Sequence, residues 1–332
     1  MSSIVDQTKK ERAETRVLIL HDDPSAYFDQ LRARFPETSF ALARPGEAAA
    51  TLLDRVRPTV AFAVRCPSQP LSLRRDVAAH PGLRWFQNAG VGVEPLLACA
   101  HKELLLTNAV GVLSGHLAET VIGALLALNL GLPAYARQQQ ARTWEARPFT
   151  GLAGKTLALI GLGGVGRAVA ARAQALGLRV IGVNRSGRAV PEVAQVYPVS
   201  RLGEVVAQAD FLSLHTVSTP QTRHLISAEL LDAMKPTAFL LNTARGAIVD
   251  EAALIDRLRR KTIAGAYLDV FEVEPLPQDS PLWAMETVIL TPHCADSVTN
   301  WQVEMADFFA DNLARWLAGK PLKNVVDPAR GY

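Results

Sequence analysis

Cysteine is scarce in this chain: only Cys66, Cys99 and Cys294 occur among 332 residues, an odd number without the spacing of metal ligands. A disulfide framework and a metal site are therefore unsupported, and a reducing, cytoplasmic setting is expected. Charge of one sign is scarce as well. The 35 basic and 32 acidic side chains leave +3, and the basic residues come in pairs such as Arg74-Arg75 and Arg259-Arg260 rather than in a stripe. Nucleic acid is not an expected partner. Long hydrophobic runs are also missing. The longest, Val121 to Pro133, is interrupted by Asn129 and falls short of the roughly 20 apolar residues that a bilayer crossing takes. It reads as a buried or interface helix, so no membrane partner is expected. Met1 to Thr15 is polar and mixed in charge, without an apolar core or a small-residue cleavage site, and reads as a frayed tail rather than a signal peptide.

What is present is a regular alternation. The length suggests two domains, and 49% hydrophobic residues suit packed cores rather than disorder. Short runs rich in Val, Leu, Ile and Phe alternate with helical patterns at Arg16–His21, Thr38–Ala43, Thr59–Arg65, Arg84–Asn88 and Glu103–Asn108. A second series runs through Lys155–Gly161, Leu178–Asn184, Asp210–His215, Thr237–Asn242, Thr262–Leu268 and Thr287–Thr291. Such repetition predicts an α/β chain with two doubly wound parallel sheets, each covered on both faces. They join through the long pattern Gly115–Arg142, and a final helical pattern, Asn300–Ala318, follows the last strand. If that helix packs back on the first lobe, the first lobe is discontinuous.

The strand Thr156–Ile160 runs into Gly161-Leu162-Gly163-Gly164-Val165-Gly166 and then a helical stretch. Gly161 allows the tight turn, Gly163 lets backbone approach a pyrophosphate, and Gly166 lets helix and strand pack closely, while the helix start offers N–H groups to the anion. In this strand-turn-helix setting the motif predicts dinucleotide binding. The next strand ends Val183-Asn184-Arg185-Ser186-Gly187-Arg188. Asn184 stands where a carboxylate would hold a free ribose 2′-hydroxyl, and Arg185, Ser186 and Arg188 suit a 2′-phosphate. NADP(H) is thus preferred over NAD(H). Among seven histidines, His293 alone has a telling setting, after strand Val288-Ile289-Leu290 and the breaker Pro292. Arg245 and Glu274 likewise follow apolar strands, so three strands deliver an imidazole, a guanidinium and a carboxylate to the sheet edge that carries the glycine loop.

The glycine loop, Asn242–Asp250 (NTARGAIVD), Leu268–Pro275 (LDVFEVEP), Thr291-Pro292-His293 and Asn324-Val325-Val326-Asp327 resemble the D-isomer-specific 2-hydroxyacid dehydrogenases, in order and approximate spacing, over nearly the whole chain. The Asn-Arg-Ser run and the Gly90-Val91 loop look most like the glyoxylate/hydroxypyruvate reductase branch. The resemblance implies a Rossmann cofactor domain, residues 109–292, inserted into a flavodoxin-like substrate domain, residues 1–108 and 293–332. It makes His293 the general acid/base, Glu274 its partner and Arg245 the anchor of the substrate carboxylate and carbonyl. Asp269 matches a position close to the nicotinamide carboxamide, and Thr243 is counted with the cofactor-binding residues. Backbone N–H groups of Val91 and Gly92, in Asn88–Val93, would hold the substrate carboxylate. Departures are Asn184 for an acidic residue, Gly164-Val165 for the frequent Arg-Ile, and Cys294 and Asp296 beside His293. The implied activity is NADPH-preferring reduction of a small 2-keto acid to a 2-hydroxy acid. The Val121–Leu132 helix, a stripe rich in Leu and Ala that needs a partner surface, is the candidate contact of a homodimer. A non-catalytic dinucleotide-sensing module on the same fold is the alternative, which the intact Arg, Glu and His set disfavours.

Overall fold

The computed structural model of the chain describes residues 14–64 and 70–328. Most of the N-terminal stretch that reads as a frayed tail, together with Arg65 and Cys66, lies outside the described residues. The chain forms two compact units: unit 1 runs to Leu113 and resumes at Val298, and unit 2 is Ser114–Ser297.

Unit 1 alternates β1 (Arg16–Leu20), α1 (Phe28–Arg34), β2 (Ser39–Leu42), α2 (Ala49–Val56), β3 (Val60–Ala63), α3 (Leu71–Ala79), β4 (Trp85–Asn88), α4 (Glu94–Leu97) and β5 (Leu105–Thr107). All pairs in its sheet are parallel, in the order β2-β1-β3-β4-β5, which is the flavodoxin-like order. The two-residue period of a strand shares β1 and β3 between two cores. Val17, Ile19, Val60 and Phe62 enter one, while Leu18, Leu20, Ala61 and Ala63 enter the other.

Unit 2 opens with α5 (Ser114–Leu130) and α6 (Leu132–Ala141). It continues through β6 (Thr156–Ile160), α7 (Gly164–Ala175), β7 (Arg179–Asn184), β8 (Gln195–Pro198), α8 (Leu202–Gln208), β9 (Phe211–Leu214), α9 (Ala228–Asp232), β10 (Phe239–Asn242), α10 (Glu251–Arg259), β11 (Gly265–Leu268) and β12 (Val288–Leu290). Its seven strands are all parallel, in the order β12-β11-β10-β9-β6-β7-β8. Strand order reverses between β9 and β7 at β6, so the loop leaving β6 sits at the topological switch point of a Rossmann sheet. Helix α11 (Trp301–Leu317) then belongs to unit 1, where Phe309 is fully buried and stacks on Phe62 at 4.6 Å and on Trp85 at 5.3 Å. Truncating a buried phenylalanine costs about 3–5 kcal/mol, enough to return the last helix to the first sheet.

Every strand expected from the sequence is present with trimmed ends, and β8 is an addition. Four residues at a sheet edge, ending in a proline without an N–H, carry too weak a pattern to be read as a strand. The single pattern Gly115–Arg142 is two helices bent by 61° at Gly131, whose φ is +71°, with Pro133 in the next turn. No single helix among the described residues is long and apolar enough to cross a membrane. The bent pair together has the composition, but Ala118, Val121, Leu125 and Leu128 are buried against Leu157 and Leu159 of unit 2's own sheet. Residues 109–113, expected with the cofactor half, pack in unit 1 through Ala109 and Leu113. His293–Ser297, expected with the other half, lie in unit 2.

Candidate active site

The glycine loop of unit 2 has the shape its sequence predicts, for steric reasons. Gly161 has φ +102°, and a Cβ there would lie 2.5 Å from the His215 carbonyl oxygen; on Gly166 it would lie 2.2 Å from that of Gly161. By contrast, a Cβ on Gly163 would meet nothing within 4 Å, so the loop is open on the side a pyrophosphate would approach. Gly163 caps α7 without any side-chain bond. The first-turn N–H groups of Gly164, Val165 and Gly166 are thereby left for an anion. This cradle fits a dinucleotide.

Beyond β7, Asn184 is a loop organiser. Its Oδ1 accepts from the N–H groups of Ser186 (3.2 Å) and Arg188 (3.1 Å), and its Nδ2 donates to the Arg188 carbonyl at 2.7 Å. Arg185, Ser186 and Arg188 are exposed on this loop. An aspartate would keep the two acceptances but face a carbonyl oxygen with a charged oxygen, so the amide itself matters to the loop.

His293 and Glu274 meet, with His293 Nδ1 2.6 Å from Glu274 Oε2. An ionised carboxylate can only accept, so Nδ1 carries the hydrogen and Nε2 is left for chemistry. Glu274 Oε1 in turn accepts from the Phe271 N–H at 3.0 Å. His293 adopts a left-handed φ of +51°, uncommon for a non-glycine residue and frequent at functional sites. The buried carboxylate of Asp269 maintains that turn. Its Oδ1 accepts from Thr291 Oγ1 (2.6 Å) and the Cys294 N–H (2.9 Å), its Oδ2 from the Ala295 N–H (3.1 Å), and its main-chain oxygen from the His293 N–H (2.9 Å). Burial pushes the Tyr267 phenol up to about 12; it stays protonated and donates to Thr291 Oγ1 at 2.9 Å. Thr120 of α5 adds a bond to the Ala295 carbonyl at 2.8 Å. The Asp269 side chain thus serves the histidine loop.

Arg245 leaves β10 in a turn that Asn242 spans, accepting from the Ala244 N–H and donating to the Arg245 carbonyl, each at 3.0 Å. Thr243 lies half-buried in the same turn. Gly246 lies against the Phe271 backbone, where a Cβ would come within 1.9 Å, and this locks the Arg245 turn to the Glu274 segment. The half-buried Arg245 guanidinium bonds the Ala244 carbonyl at 2.6 Å and has no carboxylate partner among the described residues. In unit 1, Val91 is 42% exposed, and Gly92 is partly exposed on the loop after β4.

Other histidines are bound structurally: His21 to the Tyr27 hydroxyl at 2.9 Å, His101 to the Leu83 carbonyl at 2.8 Å, and His224 to Glu272. His215 is the one that sequence reading passed over. It follows β9 at the edge that carries the glycine loop, the same signal that singles out His293. Its Nε2 lies 2.9 Å from Ser213 Oγ, and its backbone backs Gly161. Burial pushes its imidazole down from 6.5 to about 4, so it is neutral behind the glycine loop. The unfolded chain takes up this proton near 6.5 and the folded chain only near 4; His215 therefore favours folding fully above 6.5 and progressively less as pH falls to about 4. The urea midpoint should fall across that window, and His215→Asn should flatten the fall; an unchanged slope would remove the assignment.

Residues 122–295 match the D-isomer specific 2-hydroxyacid dehydrogenase, NAD binding domain. The chain is 35% identical over 282 residues to a D-3-phosphoglycerate dehydrogenase of Methanocaldococcus jannaschii, a match covering 83% of this chain and 53% of that one, so it spans about half the length of that relative. A D-isomer specific 2-hydroxyacid dehydrogenase family protein from Aeromonas salmonicida superposes with a TM-score of 0.85 at 34% identity, over 95% of this chain and 99% of that one. An NADPH-dependent glyoxylate/hydroxypyruvate reductase from Sinorhizobium meliloti, solved with NADP and sulfate, gives 0.81 at 26% identity, over 96% and 100%. With its glycine loop at the switch point and its Arg, Glu and His on the same sheet edge, this chain belongs to the D-isomer-specific 2-hydroxyacid dehydrogenase family.

Proposed function

We propose that this protein reduces a small 2-keto acid of the glyoxylate or hydroxypyruvate type, with NADPH in preference to NADH. The observation that carries this reading is the His293–Glu274 pair, joined at 2.6 Å, on the sheet edge that also bears Arg245 and the glycine loop. Gly161–Gly166 and the first turn of α7 would hold the pyrophosphate, and Asn184–Arg188 the phosphorylated ribose. Bound there, the nicotinamide supplies hydride. Proton and carboxylate handling fall to the chain. Arg245, without a carboxylate partner among the described residues, offers its planar fork to the substrate carboxylate and carbonyl oxygen. His293 donates from Nε2 to that oxygen as charge grows on it, because Nδ1 is committed to Glu274. Unit 1 would supply the Val91 and Gly92 N–H groups as further carboxylate donors.

Two features support the NADPH preference: the two exposed arginines after β7, and a relative of like fold that is NADPH-dependent. A charge-assisted hydrogen bond contributes about 1.5–3 kcal/mol, and exposure draws that toward the lower end.

We also infer a second copy of the chain as partner. Part of the apolar stripe of α5 is spent on unit 2's own core, but Leu132 is 49% exposed, Phe149 59% and Trp144 completely. The segment bearing these aromatics is held out by Tyr135, whose hydroxyl accepts from the Arg147 N–H at 2.9 Å and lies 3.1 Å from its carbonyl. An exposed apolar surface of this kind suits an interface between copies.

Steady-state assays should find kcat reduced about 10²- to 10⁴-fold in His293→Ala, with NADPH affinity by fluorescence titration nearly unchanged. Turnover within a few-fold of the unmodified enzyme would deny His293 its role. NADPH should exceed NADH in kcat/KM by at least about tenfold, with salt, Arg185→Ala and Arg188→Ala each narrowing the gap; parity at low salt would overturn the preference. Sedimentation velocity should give a dimer that Trp144→Glu shifts toward monomer, and a monomeric unmodified chain would sink that inference.

A further inference from the structure

Asn88 and Asn108 are buried side chains of unit 1, only 4% and 3% exposed, at the carboxyl ends of the paired strands β4 and β5. Both hydrogens of Asn88 Nδ2 are committed, to the carbonyls of Gly90 and Gly92, each at 3.0 Å. Asn108 Nδ2 donates to the carbonyl between them, that of Val91, at 3.2 Å. Three successive carbonyls of a partly exposed loop are therefore drawn inward. A trans peptide is planar and holds its C=O and N–H on opposite sides, so the N–H groups of Val91 and Gly92 are turned away from the asparagines. Neither has an acceptor among the described residues. Successive backbone N–H groups aimed one way form an anion-binding concavity.

The clamp is itself anchored. Asn108 Oδ1 accepts from the Val110 N–H at 3.2 Å, and Asn324 Nδ2 donates to the carbonyls of Asn108 (3.2 Å) and Val110 (2.7 Å).

We propose that Asn88 and Asn108 are positioning residues for the substrate carboxylate, turning three carbonyls of the 90–92 loop inward so that the Val91 and Gly92 N–H groups face the anion. This rests on the reading of those two amides as carboxylate donors and deepens it: main-chain donors cannot be removed by substitution, so their aim is set by side chains that never touch the ligand. Only a donor suits the task. An aspartate at either position would face carbonyl oxygens with charge and favour a turned-over peptide that spends its N–H inward.

The test uses the full chain with saturating NADPH, glyoxylate as substrate and oxamate as an inert carboxylate, in Asn88→Asp and Asn108→Asp. The KM for glyoxylate and the inhibition constant of oxamate should rise together by at least about tenfold, with kcat within about threefold, because uniform binding is lost. The KM for NADPH should stay within about twofold. A glyoxylate KM within about twofold of the unmodified enzyme, in a variant with an unchanged thermal midpoint, or an equal rise in the KM for NADPH, would overturn the proposal. If Asn88→Asp fails to fold, Asn108→Asp decides alone, since it breaks one donor bond and keeps the contact to Val110. Failure of the unmodified protein to reduce any 2-keto acid would overturn the functional reading and this proposal with it, whereas active but unaltered variants overturn the proposal only.

Discussion

All-parallel pairing runs every strand of a sheet in one direction, so the loops that leave the carboxyl ends gather along one edge. In unit 2 that edge collects the glycine loop from β6, Asn184–Arg188 from β7, His215 from β9, Arg245 from β10, Asp269 and Glu274 from β11, and His293 from β12. The strands β6, β9 and β11 are buried on both faces, and a close-packed sheet gives loop ends little room to drift. Residues far apart in sequence can therefore meet at hydrogen-bonding distance, as His293 and Glu274 do.

Within that edge the carboxylate of Asp269 does most of the local ordering. A buried charge is costly unless fully bonded, and here its oxygens receive one hydroxyl and two backbone N–H groups from residues 291–295. The same bonds let His293 keep a backbone conformation that few side chains adopt unaided. Tyr267 and Thr120 reinforce the loop from the strand below and from α5. Precision at the imidazole is thus a property of five or six residues, only one of which is expected to touch substrate.

The two units turn backbone N–H groups outward in different ways. At the glycine loop the donors come from the unpaired first turn of a helix, and what matters is the absence of side chains, with a neutral His215 behind it. In the loop after β4 the donors come from peptides turned by asparagine amides.

Alternating strand and helix patterns, the glycine spacing and three strand-end residues determined the fold class, the presence of a dinucleotide-binding domain and the family from sequence alone, because these signals are local: a period, a turn, a residue type after a breaker. The edge strand β8 escaped because four residues ending in proline carry almost no period. The bend at Gly131 escaped for another reason, since apolar residues on both sides continue one helical pattern. Tertiary structure alone decided that Asp269 serves the histidine loop, that Asn184 spends its amide on its own turn, that Asn88 and Asn108 share the carbonyls of one loop, and that much of the α5 stripe faces its own sheet. Each depends on where a side chain points relative to backbone brought close by folding, and residue type and spacing hold no record of that direction.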